Sequence, residues 1–188
     1  MILAFDTSSA HVAACLLEGE RVLTRVEEMA RGQAERLMPL LEELLAEGGA
    51  SWADLTRIGV GIGPGNFTGI RISVSAARGL ALGLGIPAVG VSLFQTTRHL
   101  SNCARTAVPA PRDQVYLMDH DTMRPPVLAP GMLGSACALS TEHTITAHVE
   151  VMARLAAQSP ADGARPAPLY VRPADAAPGR DAPPVILP

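Results

Sequence analysis

The residues whose types and spacing suggest chemistry are concentrated in GVGIGPGNFTGIRISV, residues 59–74. A glycine-rich turn between a strand and a helix presents free backbone N–H groups, and many proteins hold phosphate in such a turn. The P-loop motif is absent, because it requires a lysine and all fifteen basic residues of this sequence are arginines. The dinucleotide-binding spacing also fails, since Asn66 stands at the position of the third glycine.

Two interpretations of this turn remain open. In the first, the turn and the end of the first strand form a weak anion or nucleotide site from Asp6, Thr7, Ser8, Gly65, Asn66 and Thr68. In the second, the turn is a tight strand-to-helix connection capped by Asn66, because an Asn side chain accepts a hydrogen bond from the first turn of a helix. The missing phosphate motifs favour the second interpretation.

Other acids, histidines and cysteines give weaker signals. Asp6 ends the first predicted strand, but the fourth strand ends in GIGPG and offers no second acid for a two-metal centre. His143 and His148 are five residues apart, which is not the spacing that brings two helix ligands together. The three cysteines are too widely spaced for a zinc site and are expected to be reduced thiols. We therefore expect neither a metal nor a catalytic residue.

The elements that position these residues follow from hydrophobic periodicity. Three strands come first and strands then alternate with helices, giving β-β-β-α-β-α-β-α over residues 1–104. The predicted helices are Gln33–Glu47, Phe67–Leu84 and Leu93–Ala104. This order is typical of ribonuclease-H-like and actin-like α/β proteins, whereas a Rossmann domain alternates from its first strand.

The second half of the chain gives a weaker pattern. The periodicity weakens after residue 105, and the proline-rich last residues are expected to form a loose tail. The predicted elements of this half are a strand at Gln114–Asp119, a helix at Thr141–Gln158 and a short edge strand at Leu169–Val171.

The first two predicted helices carry more apolar residues than a helix needs to pack one of its sides on a sheet. The second helix carries two apolar stripes on nearly opposite sides, one from Ile70 to Ala81 and one of mostly small residues from Ile72 to Gly83. Either the helices cover only their own sheet, or they present a joint apolar surface to another chain. The residues alone leave both open. In the second case the interface consists of Leu37, Met38, Leu41, Leu45, Ile70, Arg71, Val74, Ala77, Arg78 and Ala81.

Composition narrows the classes of function. The net charge is −3 and aromatic residues make up 3% of the chain, so stand-alone binding to nucleic acid is not expected. The first residues, MILAFDTSS, lack the features of a signal peptide. No run approaches the ~20 apolar residues of a membrane span. These features predict a cytoplasmic protein without membrane contact.

The chain resembles the TsaB family in four segments: ILAFDTSS, GQAERLMPLLEELL, GVGIGPGNFTGIRISVSAARGLALGLGIPAVGVS and PLYVRPADA. The resemblance implies an actin-like ATPase (ASKHA) fold. It also implies a non-catalytic scaffold subunit for TsaD, the paralogue that transfers a threonylcarbamoyl group to the adenosine next to the anticodon of ANN-reading tRNAs. A TsaE-type ATPase joins that assembly, and tRNA is met indirectly through the complex. The resemblance further implies that the first two helices build the interface with TsaD and that they pair in a homodimer when TsaD is absent.

The resemblance also bears on catalysis and cofactors. TsaD-like enzymes carry metal-binding histidines on the first helix, where this chain has QAERL at residues 33–37, so no catalytic centre is implied. No cofactor is implied for this subunit, and ATP or ADP enters only at the level of the complex. The chain is shorter than its family between about residues 105 and 165, so the resemblance implies a reduced second subdomain over residues 105–188. This weakens the expectation of a nucleotide cleft and of TsaE docking.

Two other classes of function compete with the scaffold subunit. One is an actin-like phosphotransferase or nucleotide-binding enzyme, for which Asp6, Thr7 and Ser8 would be a faint phosphate loop. The other is a protease, which is disfavoured because no nucleophile–base pair is recognisable in the sequence.

Overall fold

The computed structural model describes residues 1–122, 124–131, 137–160 and 163–171. The predicted order of the first eight elements is confirmed. α3 ends three residues earlier than expected, because Asn102 takes a left-handed conformation with φ of 55°. The elements in chain order are β1 (Ile2–Asp6), β2 (His11–Glu18), β3 (Arg21–Glu28), α1 (Gln33–Gly48), β4 (Arg57–Gly61), α2 (Phe67–Leu84), β5 (Ala88–Val91), α3 (Leu93–Ser101), β6 (Arg105–Ala110), β7 (Gln114–Asp119), β8 (Val127–Pro130), β9 (Cys137–Leu139) and α4 (Ile145–Gln158).

The first five strands form one sheet in the order β3-β2-β1-β4-β5. β2 pairs antiparallel with β1 and with β3. β4 pairs parallel with β1 and with β5. Because parallel strands end at the same edge of a sheet, the ends of β1 and β4 lie side by side, and Asp6 lies against Gly61.

Helices cover both faces of this sheet. Side chains alternate between the faces of a strand, so Leu3 and Phe5 of β1 pack under α1 and α2, whereas Ala4 packs under α4. The α4 side is built from smaller strand residues. A Cβ on Gly59 would lie only 3.0 Å from the Cβ of Ala156, so α4 sits directly on β4. Asp6 lies at the edge of this sandwich, between its two helical layers.

The second sheet has the order β8-β7-β6-β9. Three of its strands carry no clear periodicity, and the sequence predicted only β7. Pro109 lies inside β6 opposite Val115 of β7, but β9 pairs with β6 only as far as Ala107. The missing N–H of Pro109 therefore costs no ladder hydrogen bond on the β9 side.

The chain passes from the first sheet to the second after α3. α4 then returns and packs on β1, β2 and β4, so by its contacts it belongs with the first sheet. It begins at Ile145 rather than Thr141, since a separate turn of 3-10 helix occupies Ser140–Glu142. Leu169 does not form the expected edge strand and makes a single 2.8 Å hydrogen bond from its N to Ile62 O. The predicted proline-rich tail beyond residue 171 lies outside the described residues.

Within the described ranges, no helix combines the length and the apolar character that crossing a bilayer requires.

Candidate functional site

The end of β1 and the glycine turn before α2 hold each other through hydrogen bonds. Thr7 Oγ1 donates to Gly69 O at 2.7 Å. The N–H of Asn66 donates to Ser8 O at 2.6 Å. Ser8 N and Ser8 Oγ both donate to Asp6 Oδ2, at 3.1 and 2.8 Å. Thr7 and Ser8 are completely buried, and their hydroxyl donors are used within the protein.

Two glycines allow this close approach. A Cβ on Gly65 would lie 2.3 Å from Ser8 O, and a Cβ on Gly69 would lie 1.9 Å from Thr7 O. Both distances are far shorter than van der Waals contact, so a larger residue at either position would force the two backbone segments apart. The glycines of the turn therefore serve packing against β1.

These contacts leave no free hydroxyl donor at Thr7 or Ser8 for the predicted weak anion site, which stays a prediction. An anion requires free donors, whereas the hydroxyls of Thr7 and Ser8 already donate inside the protein. The alternative interpretation is confirmed, because the Asn66 side chain accepts from the first turn of α2 at 2.8 Å and caps the helix. Gly65, Asn66 and Thr68 are exposed around this cap.

Six of the ten predicted interface residues lie in the chain's own core. Each is at most 3% exposed, and all belong to the cluster between α1, α2 and the sheet: Leu37, Leu41, Leu45, Ile70, Val74 and Ala77. A side chain with no exposed surface cannot contact a partner, so the prediction is corrected for these six. Met38 and Ala81 are half-buried, and Arg71 and Arg78 are exposed.

The exposed side of α2 is the second, small-residue stripe with its polar border. A Cβ on Gly79 or on Gly83 would meet no atom within 4 Å, and Leu82 is 83% exposed. Half-buried Ile72 and Ala76 lie beside them. We define the outer face of α2 as Arg71, Ser75, Arg78, Gly79, Leu82 and Gly83.

Arg71 closes one end of this outer face. Its guanidinium lies 3.8 Å from the ring centre of Phe67, and its Nε donates to Tyr170 Oη at 2.9 Å. The Phe67 and Tyr170 rings stack with their centres 5.0 Å apart. Stacking and cation–π attraction thus fasten the 163–171 segment to the start of α2.

On the opposite side of the sheet, a cavity of about 220 Å³ lies between the β1–β2 connection, α3 and α4. We call it the α4 cavity. Its apolar part is formed by Leu93, Ile145, Val149 and Met152. Its polar part includes Asp6, His11, His143 and His148.

The histidines of the α4 cavity have different hydrogen-bond states. His148 Nε2 donates to Ser140 O at 2.9 Å, and its Nδ1 lies 2.7 Å from Thr96 Oγ1. Because a carbonyl only accepts, the neutral ring carries its proton on Nε2 and accepts from Thr96 at Nδ1. Burial lowers the pKa of His148 below its ordinary value, which favours this neutral form. By contrast, His143 Nε2 is buried and has no partner.

Sequence reasoning did not predict that these cavity residues lie close together in the fold. His11 was not a candidate in the sequence, and His148 was considered only for its spacing from His143, yet each is at most 7% exposed. The β1–β2 register gives the missing signal for His11. Asp6 pairs with Ala13, and His11, two residues before Ala13, lies on the same face of the sheet.

The remaining candidates for chemistry are structural. Cys15 lies under α4, and burial raises the pKa of its thiol to about 12, so it is not a nucleophile at neutral pH. In the part of the chain that the structure describes, no group of three or more His, Cys, Asp or Glu is arranged to hold a metal ion.

Comparison with known proteins gives a consistent set of relatives. The family model described as "TsaD: tRNA N6-adenosine threonylcarbamoyltransferase" matches residues 24–124. The TsaB protein of Escherichia coli is 37% identical over 95 residues, which are 50% of this chain and 41% of that protein. The TsaB protein of Bacillus subtilis is 35% identical over 120 residues, which are 61% of this chain and 52% of that protein. The chain thus spans about half the length of these curated relatives.

Two solved structures resemble the whole described architecture. One is YeaZ from Pseudomonas aeruginosa, with a TM-score of 0.65 and 26% identity over 82% of this chain and 91% of that one. The other is described as an uncharacterized protein with similarity to peptidase YEAZ from Pseudomonas aeruginosa, with a TM-score of 0.69 and 25% identity over 91% of this chain and 99% of that one. With the strand order above, these matches show an actin-like ASKHA fold. The chain belongs to the TsaD-type threonylcarbamoyltransferase family and, within it, to the TsaB proteins.

Proposed function

We propose that this chain is a non-catalytic subunit in tRNA threonylcarbamoyladenosine biosynthesis that binds a TsaD-type protein through the outer face of α2 and the neighbouring side of α1. The biosynthetic role follows from the names of the relatives. In this proposal the chain pairs with itself when the partner is absent. A TsaE-type ATPase, ATP or ADP, and tRNA are met only in the complex.

The observation that carries this proposal is the bare small-residue stripe on α2. The distance between packed helix axes depends on the side chains at the contact, and glycines allow the closest approach. Gly79 and Gly83 have open space above them, and Leu82 extends into solvent beside them. A second helix that packs here removes an exposed leucine from water, which stabilises the pair.

The charges on α1 and α2 also favour pairing of these helices. The outer face of α2 presents Arg71 and Arg78, whereas α1 exposes Glu35 and Glu42. When two copies meet about a twofold axis, the same patch faces itself, and α1 of one copy lies near α2 of the other. Acidic α1 and basic α2 then attract each other. A related partner of the same fold can use the same arrangement.

The non-catalytic part of the proposal is supported by the geometry at Asp6, which with Thr7 and Ser8 would form the phosphate loop of a phosphotransferase. Asp6 Oδ2 already accepts from Ser8 N, Ser8 Oγ and His11 Nε2. This oxygen of Asp6 is therefore committed to the β1–β2 connection.

Gly79→Arg tests the interface. A Cβ at this exposed position would meet no atom within 4 Å, and replacing a mid-helix glycine raises helix propensity, so we expect the monomer to stay folded. The added bulk prevents close helix packing. We expect complex formation with the TsaD-type protein of the same organism to weaken at least tenfold in size-exclusion chromatography with light scattering, and self-pairing to be lost.

Ala157→Arg provides the matched control, because it adds the same side chain at an exposed position of α4 on the other side of the sheet. This variant should bind like the parent chain. Unchanged partner binding by Gly79→Arg, or equal losses in both variants, would contradict the proposed interface.

A further inference from the structure

An open cleft lies between α3, β7 and the 163–171 segment. We call it the α3 cleft. Its volume is about 750 Å³, inside the range of roughly 300–1,000 Å³ that is usual for small-molecule sites. It shares no described lining residue with the α4 cavity or with the outer face of α2. The α3 cleft is therefore a separate candidate site.

The floor of the α3 cleft is apolar. Four half-buried side chains form it, and they come from four different parts of the fold: Ile62 after β4, Met118 of β7, Leu155 of α4 and Leu169 of the 163–171 segment. Each of these side chains keeps some of its surface in water. An apolar ligand body that covers them removes this surface from water, which favours binding.

One side of α3 forms a polar rim along this floor. Gln95, Arg98 and Asn102 are exposed, line the cleft and follow one another at spacings of three and four residues, which places them on the same side of the helix. The Oε1 atom of Gln95 accepts from Ser92 in the helix cap, so its amide nitrogen is the part left for other contacts. The rim thus consists mainly of hydrogen-bond donors, and the strongest is the guanidinium of Arg98.

The charge of the α3 cleft is positive. None of its described lining residues is an Asp or a Glu, and Arg98 forms no ion pair with a described carboxylate. The nearby Asp119 pairs with Arg105 at 3.1 Å, and Asp121 is exposed beyond the end of β7. The C-terminal end of α3 contributes only about half a negative charge, which is less than the full charge of Arg98.

His120 reports the position of this charge. Burial lowers the pKa of His120, and the charge of Arg98 lowers it further, although Asp119 and Asp121 act in the opposite direction. The guanidinium therefore lies close enough to the imidazole to act on it. The His120 ring is held by Thr106, whose Oγ1 lies 2.9 Å from Nε2, so it forms a fixed neutral wall beside Arg98.

A single guanidinium over an apolar floor selects one class of ligand. The planar fork of an arginine matches a carboxylate through two parallel hydrogen bonds, and its single charge balances a single negative charge. A phosphate monoester carries nearly two negative charges at neutral pH, so one arginine leaves part of its charge unbalanced. An ammonium group is repelled by Arg98.

We propose that the α3 cleft binds an organic carboxylate, with the carboxylate group on Arg98 and the apolar body against Met118, Leu155 and Leu169. The ligand and a protein partner on the outer face of α2 use different residues, so both can be bound at the same time.

4-Phenylbutyrate and 4-phenylbutylamine are matched probes, because both carry a phenyl ring on a short chain and they differ in the sign of the charge. We expect 4-phenylbutyrate to shift the Leu169 methyl and His120 ring resonances of the isolated chain in a saturable manner, with a Kd on the order of 1 mM. At the same concentrations 4-phenylbutylamine should leave these resonances unchanged.

Two arginine variants test the charged contact. Arg98→Gln removes the positive charge of the rim at an exposed position and should weaken 4-phenylbutyrate binding at least tenfold. Arg31→Gln changes the net charge of the protein by the same amount at an exposed position before α1, and it should bind like the parent chain.

Two variants of Met118 test the floor with nearly equal shapes. Met118→Glu places a carboxylate in the cleft, where it competes with the ligand for Arg98, and it should weaken binding at least tenfold. Met118→Gln has the same length without the charge and should keep the Kd within about threefold of the parent value.

Equal shifts by both probes, no saturable shift with 4-phenylbutyrate, or undiminished binding in Arg98→Gln would each overturn the proposal. Equal losses in Met118→Glu and Met118→Gln would do so as well. If the Met118 variants do not fold, the Arg98→Gln and Arg31→Gln pair decides the outcome. Because the experiment uses the chain alone, its failure leaves the proposed binding of a TsaD-type partner untouched.

Discussion

Gly61 shows how strongly a single residue controls the end of β1. A Cβ at this position would lie 1.8 Å from Asp6 Oδ1 and 2.6 Å from Asp6 Cγ. Neither atom can move freely, because the other carboxylate oxygen is held by Ser8 and His11. The absence of a side chain on β4 is therefore what allows a carboxylate at the end of β1.

Gly61→Ala should destabilise the protein by about 3 kcal/mol, the upper part of the usual range for overpacking. Urea unfolding followed by circular dichroism measures this loss. Gly79→Ala is the matched control, because its new methyl group meets open space on α2 and should stabilise the protein by roughly 0.5–1 kcal/mol. A Gly61→Ala variant as stable as the parent would show that the β1 end rearranges easily.

At the residue scale, hydrogen bonds could be predicted from the sequence when the two partners are close in sequence. The cap by Asn66 was predictable because an N-cap acts within its own helix turn. The pairing of Asp6 with His11 required the hairpin register, and the neutral state of His148 required Thr96, which lies far away in the chain. Sequence periodicity does not provide such contacts.

At the scale of elements, the two stripes of α2 were visible in the sequence but their roles were not. A helical wheel gives the angle between Ile70 and Gly79, but it does not say which side meets the sheet. The structure places the larger residues inward and leaves the small ones outside. The predicted interface consequently named mainly the side that the chain buries itself.

Prolines explain the strands that the sequence missed. β6 contains Pro109, β8 ends at Pro130, and β9 has only three residues. Each proline removes a backbone donor and is therefore normally a sign of a loop. At the end of a strand, or beyond the reach of its neighbour, the same residue is tolerated.

Arg57 connects two elements that are distant in sequence. It begins β4, and its Nη1 donates to Ala156 O at 2.9 Å and also to Ser159 O, at the end of α4. The last carbonyls of a helix lack intrahelical partners and carry its negative dipole end, so a guanidinium stabilises them.

Arg57→Ala should lower the free energy of unfolding by about 2 kcal/mol, the usual value for hydrogen bonds from a charged donor. Chemical unfolding monitored by fluorescence of Trp52 checks this. Arg31→Ala, at an exposed position before α1, should change stability little. Equal small effects of the two substitutions would mean that Arg57 does not hold α4 in solution.

For the whole molecule, the buried His148 and the half-buried His120 link stability to pH. Burial is the main cause that lowers the pKa of both His148 and His120 below the ordinary value of 6.5. Above about pH 7 these side chains are neutral in the folded and the unfolded chain. As the pH falls below 6.5, the unfolded chain takes up protons that the folded chain does not, so stability decreases.

We therefore expect the urea concentration at the midpoint of unfolding to decrease when the pH is lowered from 7.5 to 5.5. His148→Gln keeps an amide that can donate to Ser140 and accept from Thr96 without titrating, and it should flatten this pH dependence. His120 then accounts for part of the remaining slope. An unchanged slope in His148→Gln would show that His148 does not stay neutral in the folded protein.

The return of α4 to the first sheet affects how the chain reaches this fold. Ala4 near the beginning of β1 packs under Met152, so the second face of the sheet closes only after almost all described residues have been synthesised. Contacts of such long sequence separation slow folding, because chain entropy is lost before they form. On the ribosome, Ala13, Cys15 and Leu17 stay uncovered until α4 has left the exit tunnel. The packing of β1 and β2 is thus completed only after α4 has been made.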